Sequence, residues 1–141
     1  MDQEDRYDHF VETLEAKFPE MYSRPYGGVC VGEGWWPIIE ALSNQIHYHV
    51  KWKNEQKEKY GRGNGCSPVI VLQIKEKFGG LRFYYEGGDD TVDGMVRMAE
   101  SWAARSCEEC GKPGKSRDGG WIRTLCDEHE AERQARMKEY D

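Results

Sequence analysis

Three cysteines and a histidine stand within 23 residues near the end of the chain: Cys107, Cys110, Cys126 and His129, spaced as CxxC, fifteen residues, CxxH. Thiolate and imidazole are the donors that a tetrahedral zinc ion prefers, and a CxxC turn lets two sulfurs reach one ion at about 2.3 Å each. Gly111 follows the first pair directly and permits the tight turn of a knuckle. Pro113, Gly114, Gly119 and Gly120 allow the chain to reverse between the pairs. The stretch TLCDEHEAERQARMKEY has helical composition after Thr124, and Cys126 and His129, three apart, share a face of its first turn. Knuckle, hairpin and helix together predict a treble-clef-like Cys3His unit holding one structural Zn²⁺.

That chemistry is structural rather than catalytic, because four protein ligands close the tetrahedron and a catalytic zinc keeps a position open. The zinc deaminases place H-x-E before C-x-x-C; this chain has C-x-x-C first and no H-x-E. A nuclease of the His-Asn-His type needs further histidines near the second pair, and none follows His129. The segment has few packing residues, Trp121, Ile122 and Leu125. Metal binding, on the order of 10 kcal/mol for such units, is what folds it.

Other residues with chemical potential carry weaker patterns. His9, His47 and His49 are read as ordinary side chains, since His47 and His49 are two apart on a helix and face different ways. Cys30 and Cys66 lack any activating neighbour that the sequence shows, and read as small buried residues or loop thiols. GxSxG, HExxH and a P-loop lysine are absent, and the glycines of GVCVGEGWWP lack the rest of a phosphate-loop pattern. A catalytic residue set is therefore not expected. A binding set is: Trp35 and Trp36 from a glycine-rich loop, with Gln73, Lys75, Arg82 and Tyr84 from the polar side of a hairpin. Aromatic and cationic groups together suit a protein contact or an anionic planar ligand such as a nucleotide.

The elements that must position these groups follow from periodicity. Tyr7, Phe10, Val11, Leu14 and Phe18 make one face of a helix over 5–18, ended by Pro19. Residues 20–34 read as a loop. A long helix over 37–59 starts at Pro37 and buries Ile38, Ile39, Leu42, Ile46, His49 and Val50 before GRGNG stops it. SPVIVLQIKEKFGGLRFYYEGG alternates on both sides of a Gly-Gly and predicts an antiparallel hairpin. Its apolar face is expected to carry Ile70, Leu72, Ile74, Leu81, Phe83 and Tyr85, and its other face Val71, Gln73, Lys75, Arg82 and Tyr84. A third helix over 90–105, capped by Asp90 or Thr91, turns Val92, Met95, Val96, Ala99, Trp102 and Ala103 inward. Helices packed on an antiparallel hairpin give an α+β class. No linker separates the third helix from Cys107, so residues 1–105 form the α+β domain and 106–141 a zinc segment docked on it, in one compact unit.

The totals limit the partners. The chain has 141 residues, 33% of them charged, and a net charge of -6. An acidic chain is a poor general binder of nucleic acid, whose affinity comes from neutralised phosphates. Two local basic clusters qualify this, Lys51, Lys53, Lys57, Lys59 and Arg62, and then Lys112, Lys115, Arg117 and Arg123. The second keeps a nucleic-acid-binding zinc protein in view. No apolar run reaches the roughly 20 residues of a membrane helix. The acidic start is followed by no apolar signal core, so the expectation is a cytoplasmic protein with reduced thiols.

QIKEKFGGLRFYY, ESWAARSCEECG and GGWIRTLCDEH resemble a family of small proteins encoded by bacteriophages and prophages, over roughly residues 35–130. The resemblance matches the zinc ligands as Cys107, Cys110, Cys126 and His129. It implies a phage origin and a bacterial host. Small phage accessory proteins often act by blocking a host defence or regulatory protein, or by sequestering a signalling molecule. The expected function is accordingly a non-enzymatic, zinc-stabilised protein that makes a stoichiometric contact with a host protein. The alternatives are a nucleic-acid-binding zinc protein or a protein that sequesters a nucleotide or small anion.

Overall fold

A computed structural model describes residues 1–140. The chain order is α1 (Gln3–Lys17), β1 (Val29–Cys30), α2 (Trp36–Tyr60), β2 (Ile70–Lys77), β3 (Gly80–Glu86), α3 (Asp90–Ala103), β4 (Lys115–Arg117), β5 (Arg123–Leu125) and α4 (Asp127–Glu139). The class is α+β: four helices, a three-stranded sheet and a separate two-stranded ribbon among the described residues.

Local chemistry sets the helix ends. The Asp2 carboxylate accepts from the Asp5 amide at 2.8 Å and starts α1. Pro37 occupies the first turn of α2, and Gly61, with φ of 63°, closes it in the left-handed conformation. Asp89, one residue before the expected caps, accepts from the Val92 amide at 3.0 Å and starts α3. Three adjacent acidic or hydroxyl residues can all cap; the path of the chain out of β3 picks the first.

The loop over 20–34 contains a short strand that its glycines conceal. β1 lies parallel to β2, Val29 opposite Ile74 and Cys30 opposite Lys75, and β3 runs antiparallel on the other side of β2. The hairpin forms as expected, but its faces differ from strict alternation. A bulge between Val71 and Gln73 adds one residue to β2 and reverses the phase of what precedes it. Val71 and Ile74 are therefore fully buried, while Leu72, expected inside, is 40% exposed. β3 keeps its alternation, with Leu81 and Phe83 buried.

Helices α2 and α3 pack on one another, and α3 on β3, over the inner face of the sheet. Val92, Val96, Ala99 and Ala103 form the inward stripe of α3. Trp102, also expected inside, is half exposed, lining a recess between α3 and Ile38, Ala41 and Leu42 of α2. Trp35, in the short turn before α2, has no exposed surface, and its indole Nε1 donates to the Ser106 carbonyl at 2.8 Å. No helix among the described residues is long and apolar enough to cross a membrane.

Trp35→Ala is expected to cost about 3–5 kcal/mol. Trp35→Phe fills most of the space but strands the Ser106 carbonyl, at about 1–3 kcal/mol. Urea midpoints measured on metal-loaded protein check both, and an unchanged midpoint in Trp35→Phe would show that the hydrogen bond contributes nothing.

Candidate metal centre

The two ligand pairs meet. The sulfurs of Cys107, Cys110 and Cys126 and the Nδ1 of His129 all lie within 4.8 Å of one another. Cys110 Sγ is 3.8 Å from Cys126 Sγ, and His129 Nδ1 is 3.2 Å from Cys126 Sγ and 3.5 Å from Cys107 Sγ. A tetrahedral ion holding sulfur at about 2.3 Å and nitrogen at about 2.0 Å separates its ligands by about 3.5–3.8 Å. These three separations stand within a few tenths of an ångström of a tetrahedron's edges, and the Cys3His group could hold one metal ion. Cys107 and Cys126 are buried and Cys110 is exposed, which leaves a path for the ion.

Backbone contacts shape the knuckle. Gly111, at φ of 80°, donates its amide to the Cys107 carbonyl at 2.8 Å. The Cys107 amide donates to the Lys112 carbonyl, and the Glu108 amide to the Thr124 carbonyl of β5. Cys126 lies just before α4, and its sulfur accepts from the His129 amide at 3.4 Å, so it is ligand and helix cap together. The helix therefore begins after Cys126, with the two ligands either side of its first turn.

The knuckle sits on the main domain. The Gly34 amide donates to the Glu108 carbonyl at 2.8 Å, and the Gly32 amide to the Glu108 carboxylate at 3.0 Å. A Cβ on Gly34 would lie 2.1 Å from the Cys107 carbonyl oxygen, so only glycine permits this approach. The Thr124 hydroxyl donates to the Gly79 carbonyl at 2.6 Å and pins the β2–β3 turn to β5. Arg133 of α4 is buried and donates to the carbonyls of Trp121 and Asp118, tying the β4–β5 loop to the helix.

The charges around the ligands are arranged for a cation. Burial works against a thiolate at Cys107, but the surrounding backbone N–H groups outweigh it and lower its pKa. Burial and the adjoining sulfurs of Cys107 and Cys126 push Cys110 up to about 11. Three sulfurs this close do not all ionise without an ion between them. His129 turns Nε2 toward Glu109 at 3.4 Å, the arrangement that fixes the tautomer leaving Nδ1 free to ligate. Burial pushes the Glu108 carboxyl upward, although the Gly32 amide and Arg123 oppose the shift.

The expected binding set is divided. Trp35 belongs to the core, and Trp36 is half-buried, stacked on Phe10 with ring centroids 4.9 Å apart and donating to the Val31 carbonyl. Burying two large indoles there stabilises the start of α2 and removes both from the sheet surface. The other four do gather on the outer face: Gln73 lies opposite Tyr84 and Lys75 opposite Arg82. The Lys75 ammonium is 5.8 Å from the Tyr84 ring centre. Cys30, opposite Lys75, is exposed on the same face. In the cluster beside the metal, Arg117 pairs with Asp127 at 2.7 Å and Arg123 with Glu109 at 3.2 Å, so half of its cations are already engaged.

Two features escape sequence reasoning. Phe78 in the hairpin turn and Trp121 in the β4–β5 loop are 71% and 73% exposed, and both line one recess of about 390 Å³. Phe78 holds φ of 53°, a left-handed conformation unusual for an aromatic residue. The second is the gathering of His49, Cys66 and Asp89, whose separation along the chain carries no motif. His47 and His49 do face different ways: His47 packs on Phe18, and His49 bonds to Asp89.

No protein-family model, curated protein or solved structure matches the chain.

Gly34→Ala is expected to displace the knuckle and lower stability by roughly 1–3 kcal/mol, read from the denaturation midpoint. Glu109→Gln removes the carboxylate behind His129 and is expected to weaken metal binding by about tenfold. Competition with a chromophoric chelator checks this, and an unchanged affinity would mean that Glu109 does not orient the imidazole.

Proposed function

We propose that the chain is a non-enzymatic binding protein, stabilised by one structural Zn²⁺ and acting through the outer face of its sheet by stoichiometric contact with a host protein. The observation that carries the reading is that Lys75, Lys77 and Arg82 rise from the same end of the hairpin with no ion-pair partner among the described residues. Tyr84 stands exposed beside them. On a chain of net charge -6 this is a local positive surface bearing an aromatic side chain. Arginine and tyrosine are residues that anchor protein contacts, and complementary charge speeds the encounter. The partner surface on this reading is acidic.

The metal centre supports the structural half of the reading. Three thiolates and an imidazole favour zinc over the hard cations. Knuckle, short ribbon and helix follow one another in the order of a treble clef, and four protein ligands leave the ion no reactive position. The setting proposed is the cytoplasm of a bacterial host, with a phage-encoded chain blocking a defence or regulatory protein. Exposed Phe78, Tyr84 and Trp121 favour a second reading, binding of single-stranded nucleic acid by stacking beside the same cations.

The test combines native mass spectrometry with a double charge reversal, Lys75→Glu with Arg82→Glu. On the main reading the wild type carries the Cys3His zinc and captures a host protein at fixed stoichiometry. The double variant keeps its zinc and loses that protein. Retained capture would remove the sheet face from the contact. Affinity for single-stranded nucleic acid that falls steeply with salt would move the assignment to the second reading. Turnover of a substrate that Cys126→Ser abolishes in a folded chain would overturn the non-enzymatic assignment.

A further inference from the structure

Outside the Cys3His group, one other place among the described residues brings together nitrogen, sulfur and carboxylate donors. His49 projects from α2, Cys66 from the connection between α2 and β2, and Asp89 from the start of α3. Their ligand atoms all lie within 4.8 Å of one another, and His49 Nε2 is 2.8 Å from Asp89 Oδ2. The cluster is sheltered without being sealed: the side chains of His49 and Asp89 are 14% and 28% exposed, and Cys66 is 8% exposed.

The connection before β2 is built to deliver Cys66. Asn54 of α2 clasps it at both backbone groups: the Cys66 amide donates to Asn54 Oδ1 at 2.9 Å, and Asn54 Nδ2 donates to the Cys66 carbonyl at 3.1 Å. Gly65 makes this clasp possible, since a Cβ there would stand 2.6 Å from Asn54 Oδ1. Asp89 Oδ1 caps the Val92 amide at 3.0 Å, and the His49 imidazole lies against both carboxylate oxygens, 2.8 Å from Oδ2 and 3.1 Å from Oδ1. Three elements separated in sequence are thus each fixed by their own contacts with one donor aimed at a common point.

A nucleophilic thiol is hydrogen-bonded to its imidazole base; here the His49 imidazole bonds to Asp89 at 2.8 Å and the Cys66 thiol donates to the Ser67 carbonyl at 3.5 Å. Burial first, and Asp89 after it, push the Cys66 thiol up to about 11, so it is not an activated nucleophile.

We propose that His49, Cys66 and Asp89 form a second metal site, for a divalent cation of the zinc and cobalt class, with a fourth position open to water. One thiolate, one imidazole and one carboxylate suit such borderline ions. Three protein ligands plus water is the open form of zinc coordination, in contrast to the closed Cys3His group. Ligand distances of about 2.0–2.3 Å require the His49–Asp89 pair to open to about 3.3 Å, a side-chain adjustment of half an ångström. Binding releases the proton of the thiol to solvent, while the imidazole ligates through Nε2 with its own proton on Nδ1, so occupancy rises with pH. The inference needs neither the sheet-face contact nor a particular partner.

The probe is Co²⁺ added to chain already carrying one equivalent of zinc, followed by thiolate-to-cobalt absorption and by metal analysis after desalting. The expected result is a second equivalent per chain with thiolate-to-cobalt absorption. Cys66→Ser and His49→Gln each lose the second equivalent and keep the first, whose retention reports that the fold is intact. A wild type that saturates at one metal overturns the proposal, whether or not the variants fold. So does a second equivalent that persists in both Cys66→Ser and His49→Gln, which would place it elsewhere, as at Glu109 and Glu132 beside His129. Cobalt absorption that only replaces an equal amount of displaced zinc also counts against it.

Discussion

Three sulfurs and an imidazole nitrogen within 4.8 Å of one another can hold one cation between them. Without one, the thiols keep their protons and the packing of four polar donors is a cost. With one, four side chains from two distant turns become a single rigid junction. Much of the molecule depends on that junction. Residues 106–108 give their carbonyls to the main domain: Ser106 accepts from the Trp35 indole, Glu108 accepts from the Gly34 amide, and the Cys107 carbonyl lies against Gly34 itself. Trp35 is the largest fully buried side chain of the core. The metal-binding turn and the hydrophobic core therefore share a boundary made of backbone carbonyls, and neither can move alone.

The same junction reaches the sheet. Thr124, one residue before Leu125 and two before a ligand, holds the carbonyl of Gly79 in the hairpin turn. The hairpin is thus fastened at its tip by the metal segment and along its inner face by α3. Its outer face remains, with Lys75, Lys77 and Arg82 unpaired among the described residues of an acidic chain. Charges held on a stiff strand pair lose less freedom on meeting a partner than charges on a mobile loop. Electrostatics at that surface act at short range, since salt screens beyond about 8–10 Å, so the negative charge of the rest of the chain does not cancel the patch.

Legibility in the sequence followed the range of the physics involved. The four helices, the hairpin and the four metal ligands were all readable, because periodicity and CxxC spacing are local consequences of 3.6 residues per turn, two-residue alternation and tetrahedral reach. The errors came from competition between local options. One extra residue in β2 turned Leu72 outward and Val71 inward, and nothing in the run VIVLQI marks which residue is the extra one. Asp89, Asp90 and Thr91 all make acceptable caps. Trp35 and Trp36, in a glycine loop, looked available for a ligand, yet their apolar area gains more from burial.

By itself, then, the sequence determined the α+β class, the positions of its main elements and the identity of the Cys3His ligands, since each is written in neighbours a few residues apart. Tertiary structure alone decided the rest. It selected Nδ1 of His129 by facing Nε2 toward Glu109. It withdrew Trp35 and Trp36 from the sheet surface, added β1 beside β2, and placed Phe78 near Trp121. It also brought His49, Cys66 and Asp89 to one point. Those outcomes depend on contacts between residues dozens of positions apart, and such contacts leave no spacing to read because the fold, not the chain, makes them adjacent.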